Sequence, residues 1–199
     1  NNSSKSNPFD SRYLYEILDL CLSCKGCKSE CPSGVDMAKL KAEFLYQYYK
    51  SNRIPLRTRL IAYFSKTQAI ASKVSWIYNN TINLPIVSNI VKAVIGFAQK
   101  RSLPKVYRKT FRTWLTKSLE QLNTLISADA SAVYLFIDEF TNYNDVEIGK
   151  TTIKLLHKLG YRVLILKNKE SGRPFLSKGF LTRAKRLAAY NVNLYSSVV

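Results

Sequence analysis

The sequence predicts a multidomain α+β chain in which two helical segments precede a small α/β module. Three observations predict this class. Apolar residues recur at the helical interval through most of residues 1–128, and from Asp129 short apolar runs alternate with helical periodicity. The third observation is a basic stretch without acidic residues that joins the two patterns. We therefore divide the chain into residues 1–50, 51–128 and 129–199.

The first segment, residues 1–50, is predicted to hold two helices joined by a loop. Asp10 or Ser11 can cap the first helix, and Ser33 or Asp36, after Pro32, can cap the second. Apolar residues form one stripe on each predicted helix. The first stripe is Leu14, Ile17, Leu18 and Cys21, and the second is Met37, Leu40, Phe44, Leu45 and Tyr48.

The second segment, residues 51–128, is predicted to be a basic amphipathic helical connector. From Phe44 to Leu119 the chain has fourteen lysines and arginines and no aspartate or glutamate. Apolar residues recur at the helical interval from Leu56 to Trp76. The same pattern resumes after a break at Leu84-Pro85 and appears again from Phe111 to Leu122. The net charge of the whole chain is +18, which favours partners that carry negative charge.

The third segment, residues 129–199, predicts a βαβαβ order. Three apolar runs are typical of strands, namely SAVYLFIDEF, YRVLILKN and VNLYSSVV. Helices are predicted between them, over Val146–Lys158, where Gly160 ends the helix, and over Phe175–Tyr190. Right-handed crossovers would place the strands in a small parallel sheet within a three-layer module. Such sheets usually continue, so we expect the module to be truncated.

The chain begins with a polar stretch that does not resemble a signal peptide. Its longest apolar stretch, Leu84–Ala98, is interrupted by polar residues and is shorter than the roughly 20 residues that a bilayer span requires. We predict no transmembrane helix. We also expect the chain to be a segment of a longer protein.

All the cysteines of the chain lie in one short run with the spacing C-x2-C-x2-C-x3-C, followed by Pro32. They are Cys21, Cys24, Cys27 and Cys31. This is the spacing of bacterial 4Fe–4S ligation. Three thiolates three residues apart on a tight loop can reach three corners of one cube, whereas zinc is usually bound by two separated pairs. We expect Gly26 to let the backbone curl and aim its amides at the sulfurs, and Lys25 and Lys28 to offset the cluster's charge.

Zinc binding and disulfides are the alternatives for this run. Disulfides require an oxidising compartment, for which the sequence gives no indication. We therefore predict a location in the cytoplasm or at the inner face of the membrane. The role of Cys31 stays open, because in two-cluster ferredoxins the cysteine before the proline ligates the other cluster. Either all four thiolates bind one cluster, or a partner run precedes residue 1.

The cysteine run and its flanks, LDLCLSCKGCKSECPSGVDMAKLKAEF, resemble the iron-sulfur region of large bacterial FAD-binding oxidoreductases related to D-lactate dehydrogenase and glycolate oxidase. The resemblance continues through IPLRTRLIAYF, RSLPKVYRKTFRTW, LFIDEFTNYNDVEIGK and ESGRPFLSKGFLTRAK. Those proteins place a flavin module first, then a helical two-cluster ferredoxin domain, then a cysteine-rich domain. The resemblance implies that residues 1–50 are the second half of the ferredoxin domain and that residues 129–199 begin the cysteine-rich domain.

The cysteine-rich domain of that family is similar to those of heterodisulfide reductases and of the iron-sulfur protein of anaerobic glycerol-3-phosphate dehydrogenase. In these proteins a cysteine ends the first strand and a Cys-Cys-Gly follows the second. The corresponding stretches here are Ile137-Asp138-Glu139 and Glu170-Ser171-Gly172. Because the cysteines are absent, we assign no metal to the acidic residues at these positions.

The resemblance implies that the chain is the electron-transfer segment of an FAD-linked iron-sulfur oxidoreductase. Flavin in the missing upstream part would oxidise an organic substrate, a 2-hydroxy acid by resemblance, and pass electrons singly to the 4Fe–4S cluster. We assign no catalytic residue in this segment. His157 is the only histidine, and its place on a predicted helix indicates a surface residue.

The expected partners are the upstream flavin module and either an anionic membrane surface or an acidic electron acceptor. Basic residues near an anionic leaflet and amphipathic helices both favour the membrane surface. The same basic and aromatic residues also bind nucleic acids. The alternative function is therefore a non-enzymatic nucleic-acid-binding module whose fold is stabilised by an iron-sulfur cluster or by zinc.

Overall fold

A computed structural model describes residues 7–198 of the protein. These residues form two compact units. The first unit holds the chain up to Tyr63 together with Gly172–Ala188, and the second holds Phe64–Ser171 and the residues from Ala189 on. The predicted segments were divided by composition and by resemblance, whereas the two units are divided by compactness. The predicted domain boundaries therefore stay predictions, and so does the ferredoxin half-domain.

Helices dominate both units. In chain order the elements are α1 (Arg12–Asp19), α2 (Gly26–Glu30), α3 (Met37–Ser51), α4 (Leu56–Ala62), α5 (Phe64–Lys73), α6 (Ser75–Asn83), α7 (Pro85–Ile95), α8 (Phe111–Asn123), β1 (Ala132–Leu135), α9 (Glu139–Tyr143), α10 (Val146–Lys158), β2 (Arg162–Ile165), α11 (Arg173–Ser177) and α12 (Leu181–Tyr195). Within residues 7–198, no helix is both long enough and apolar enough to cross a membrane.

The first unit is organised around α3, whose buried face carries Phe44, Leu45 and Tyr48. Tyr15 of α1 stacks on Tyr48 with ring centroids 4.9 Å apart. At each helix the structure uses one of the two predicted capping residues, Ser11 rather than Asp10 and Asp36 rather than Ser33. The Ser11 hydroxyl accepts from the Leu14 N–H at the start of α1, and Asp36 accepts from the Lys39 N–H at the start of α3. The Ser11 cap fixes where α1 begins, and the Asp36 cap fixes where the loop between the two helices ends.

The second unit contains a parallel pair of strands. β1 pairs with β2 in a register that runs from Ala132 opposite Arg162 to Leu135 opposite Ile165. The predicted crossover helix is confirmed, because α10 spans Val146–Lys158. Side chains from α8, α10 and both strand regions form the buried core, which consists of Phe111, Leu115, Ile137, Val146, Ile153 and Val163.

The predicted third strand, VNLYSSVV, is wrong over its described residues 192–198. Helix α12 continues through Tyr195, and the sheet in the described part of the chain has two strands. No glycine or proline separates this stretch from the preceding helix, so nothing ends the helix at Tyr190. The Tyr195 hydroxyl instead donates to the Leu135 carbonyl at 3.3 Å, at the end of β1.

Two long helices predicted from periodicity are divided in the structure. The Leu56–Trp76 prediction becomes α4, α5 and the start of α6, with non-helical residues at Tyr63 and Val74. The Phe175–Tyr190 prediction becomes the end of α11 and most of α12. Gly179 lies between α11 and α12 with φ 78°, a left-handed conformation that ends a helix.

Candidate metal centre

The four cysteines lie between α1 and α3, and local backbone structure sets the position of each. The Cys21 N–H donates to the Leu18 carbonyl at 3.1 Å, where α1 ends. Cys27 lies within the short helix α2, and Cys31 follows its last residue, donating its N–H to the Cys27 carbonyl at 3.0 Å. The sequence predicted a loop without regular structure here, so α2 is an addition to that prediction.

Two non-glycine residues with positive φ shape the turn between the first three cysteines. Ser23 has φ 57° and Lys25 has φ 63°. A left-handed residue with a side chain costs about 1–2 kcal/mol, so this turn is strained. Gly26 was expected to make the close turn, but it is the first residue of α2. A Cβ added to Gly26 would meet the Cys24 sulfur at an ordinary 3.7 Å.

Backbone amides point at the cysteine sulfurs. The Ser23 N–H donates to Cys21 Sγ and the Met37 N–H donates to Cys27 Sγ, each at 3.4 Å. Backbone N–H groups of Val35 and then Ser33 lower the pKa of the Cys31 thiol below its ordinary value, against the effect of partial burial. Donors placed in this way stabilise thiolates, which are the form that binds a metal.

Cationic side chains also lie at the loop. Lys41 of α3 is only 3% exposed, and its Nζ donates to the Cys21 carbonyl at 2.7 Å. Lys25 contacts Asp36 Oδ2 at 3.6 Å, so part of its charge is already balanced. Sequence reasoning missed Lys41, although a signal was present. Lys41 lies three and four residues before Phe44 and Leu45, which places it on the buried stripe of α3.

The four thiols are free, with Cys24 exposed and the other three half-buried. Within residues 7–198, no three His, Cys, Asp or Glu side chains are gathered in a way that would hold one metal ion. A cubane cluster makes a different demand, since each thiolate binds a different iron atom. Backbone amides contact the sulfurs of Cys21, Cys27 and Cys31, and hydrogen bonds of this kind are among the interactions that tune a cluster when one is bound.

The acidic residues after β1 serve structural roles. Asp138 caps α9 by accepting from the Thr141 N–H at 2.8 Å. The Glu139 side chain is buried, and its carboxylate accepts from both the Ser171 N–H and the Ser171 hydroxyl at 2.8 Å. Ile137-Asp138-Glu139 and Glu170-Ser171-Gly172 are therefore joined by hydrogen bonds from Ser171 to Glu139.

His157, the only histidine, is half-buried on α10 and contacts Asn123 Oδ1 through Nε2 at 3.0 Å. Burial lowers the pKa of His157. The neutral imidazole is therefore the favoured form, and its Nε2 contacts the side chain that also pairs with the backbone of Val163.

The sequence relatives of this chain are dehydrogenases. The chain is 27% identical to D-2-hydroxyglutarate dehydrogenase of Escherichia coli K12 over 94% of its length, and 26% identical to that of Haemophilus influenzae over 89%. It is 29% identical, over 72% of its length, to one of the polypeptides of anaerobic glycerol-3-phosphate dehydrogenase from Escherichia coli K12. The resemblance to this group of dehydrogenases is thereby confirmed.

The chain spans 18–19% of the length of these D-2-hydroxyglutarate dehydrogenases and 36% of the glycerol-3-phosphate dehydrogenase polypeptide. No family model matches the chain, and no solved structure matches it. Homology to dehydrogenases over most of the chain supports an oxidoreductase role.

Proposed function

We propose that this chain is the electron-transfer segment of a larger FAD-linked oxidoreductase. Cys21, Cys24 and Cys27 would ligate a 4Fe–4S cluster, with Cys31 as the fourth ligand. The observation that carries the proposal is the set of free thiols in one short loop whose sulfurs accept backbone N–H groups. When bound, such a cluster supplies reversible one-electron transfer.

The chain's own residues would bind and tune this group. The amides of Ser23 and Met37 withdraw electron density from the sulfurs, which favours the reduced state and raises the reduction potential. Lys41 fixes the carbonyl of Cys21 and places a positive charge beside the loop. The helices on either side of the loop, α1 and α3, limit the access of water to the half-buried cysteines.

The substrate and the flavin belong to the proposal for the whole protein. Both relatives are named for substrates with a secondary hydroxyl group, and 2-hydroxyglutarate is a 2-hydroxy acid. We propose that the intact protein oxidises a 2-hydroxy acid at FAD in a part outside this chain. Oxidation of the hydroxyl to a ketone releases two electrons, which this segment would carry one at a time to an electron acceptor.

Anaerobic reconstitution of the chain with iron and sulfide tests the cluster. We expect about four irons and four sulfides per chain and a visible absorbance band. Cys24→Ser should lower the iron content and the absorbance strongly, because the cluster would lose one of its thiolate ligands. Ser29→Ala, in the same loop, is the matched control and should bind the cluster normally. One zinc per chain without sulfide would contradict the proposal.

The intact protein tests the direction of electron flow. With a D-2-hydroxy acid as substrate, the Cys24→Ser variant should still reduce its flavin, because that step lies upstream of the cluster. Reoxidation of the flavin by the acceptor should become slow. If reoxidation proceeds at the unchanged rate, electrons do not pass through this segment. Salt-dependent binding of nucleic acid by the zinc-bound chain would support the alternative function instead.

A further inference from the structure

In helices α5, α6 and α7 the fully buried side chains are polar, and many of the large apolar side chains are exposed. Among residues 64–105, every buried side chain is polar; these residues are Gln68, Ser72, Ser75, Ser88 and Lys92. The exposed large apolar residues of the same segment are Ile70, Val74, Trp76, Ile77, Leu84, Ile86, Val87, Ile90 and Val94. A helix that packs only against its own protein shows the opposite arrangement.

Helix α7 shows the inversion most clearly. Ile86, Ile90 and Val94 follow one another at four-residue intervals, so they form one exposed stripe. Ser88 and Lys92 lie on the other side of the helix and are buried. The Lys92 Nζ donates to the Gln99 carbonyl at 2.8 Å, which satisfies the buried charge in part and keeps it inside.

Specific polar contacts hold this orientation in place. Gln68 of α5 accepts from the Asn144 side chain at 3.0 Å. Asn79 of α6 donates to the Val106 carbonyl at 2.9 Å and accepts from the Val106 N–H at 3.0 Å. The polar sides of α5 and α6 therefore face the rest of the second unit, and Trp76, 78% exposed, is directed away from it.

The charge of the segment indicates what covers this apolar face. The segment contains no acidic residue, and apart from the buried Lys92 its basic residues are exposed, namely Lys66, Lys73, Lys100, Arg101 and Lys105. The three helices have 10, 9 and 11 residues, which is too short for any of them to cross a bilayer. An apolar stripe with flanking basic residues and a tryptophan is typical of helices that lie in a membrane interface.

We propose that α5, α6 and α7 form a docking surface for an anionic lipid membrane. The stripe of apolar side chains would enter the boundary between headgroups and acyl chains, and the basic residues would contact anionic headgroups. A second copy of this chain is a poorer occupant, because each copy carries a net charge of +18 and the two would repel. This inference does not depend on the cluster.

Vesicle binding tests the proposal. The full chain should bind phosphatidylcholine vesicles that contain about 30% phosphatidylglycerol, and about 0.5 M salt should weaken the binding. Ile90→Gln with Val94→Gln should lower the partition coefficient by at least about tenfold, because two exposed apolar side chains no longer enter the lipid. In a Trp114→Phe background, the fluorescence of Trp76 should shift to the blue on binding.

Ile148→Gln with Leu155→Gln on α10 is the matched control, because these residues are similarly exposed but lie outside the segment. This pair should leave vesicle binding unchanged. The proposal is overturned if the chain does not bind the anionic vesicles, or if both double variants bind equally well. It is also overturned if Ile90 and Val94 are needed for dimerisation of the chain, or if the intact protein covers them and does not bind vesicles.

Discussion

Gly179 is in close contact with α3 inside the first unit. A Cβ at this position would lie 2.6 Å from Leu45 Cβ and 2.9 Å from the backbone of Leu45 and Tyr46. Gly179→Ala also forces a side chain into the left-handed region, at φ 78°. We expect the free energy of unfolding to fall by about 3 kcal/mol, measured by urea denaturation.

Gly160→Ala is the control for Gly179→Ala. Gly160 has a similar φ of 81°, but a Cβ there meets nothing within 4 Å. Its substitution should cost about 1 kcal/mol, from the backbone conformation alone. Equal losses for the two variants would show that the contact with α3 does not matter.

The residues of the cysteine loop show how far the sequence predicts a site. The spacing identified the four thiols, and local capping signals gave two candidates for each helix, of which the structure uses Ser11 and Asp36. The sequence did not identify the left-handed residues Ser23 and Lys25, because neither residue type favours a positive φ. The Met37 N–H reaches Cys27 from ten residues away, a pairing that no local pattern specifies.

At the scale of elements, Asn123 at the end of α8 closes one edge of the sheet. The Arg162 N–H donates to the Ser131 carbonyl, on the side of β2 that faces β1. Because backbone groups of successive strand residues point to opposite sides, the N–H and carbonyl of Val163 point to the other edge. The Asn123 side chain pairs with both groups, donating to the carbonyl at 2.8 Å and accepting from the N–H at 3.1 Å. It occupies the place that a neighbouring strand would take.

Asn123→Ala should lower the free energy of unfolding by about 2 kcal/mol, because Val163 loses both partners and His157 loses its contact. Thermal or urea denaturation followed by circular dichroism measures this change. Gln121→Ala on the exposed side of the same helix should have little effect. If Gln121→Ala is equally damaging, helix propensity rather than the sheet edge explains the loss.

The contact between α10 and α8 predicts a pH dependence. Burial lowers the pKa of His157, so the folded protein binds its proton less readily than the unfolded chain does. This contribution to stability is complete above the ordinary pKa of about 6.5 and is lost as the pH falls below it. In His157→Gln the midpoint of urea denaturation should change less between about pH 7 and pH 5 than in the unsubstituted protein. If the midpoint changes equally in both, other groups cause the pH dependence.

The elements also show what periodicity can and cannot predict. Helix α10 was predicted with its full bounds, because an amphipathic repeat is followed by Gly160. The third strand was wrong because VNLYSSVV has strand-forming composition but continues a helix that no residue ends. The exposed apolar stripe of α7 has the same period as a buried one, so the sequence predicts the helix and not its orientation.

At the scale of the whole molecule, the two compact units should respond differently to the cluster. The cysteine loop lies in the first unit, and the core around Phe111 and Val163 lies in the second. Reconstitution with iron and sulfide should slow amide hydrogen exchange over residues 21–37 by at least about tenfold, because bound metal stabilises the folded loop. Exchange in β1 and β2 should change little. Equal slowing in both units would contradict this assignment.

The Glu139–Ser171 contact gives the second unit a different sensitivity to oxygen and to chelators from that of the cysteine loop. Thiolate ligands at these positions would make this part of the protein vulnerable to oxygen, since exposed thiolates oxidise readily. A carboxylate and a hydroxyl have no such chemistry. The second unit should therefore keep its structure in air and in the presence of chelators, whereas a cluster bound by the cysteine loop would require anaerobic handling.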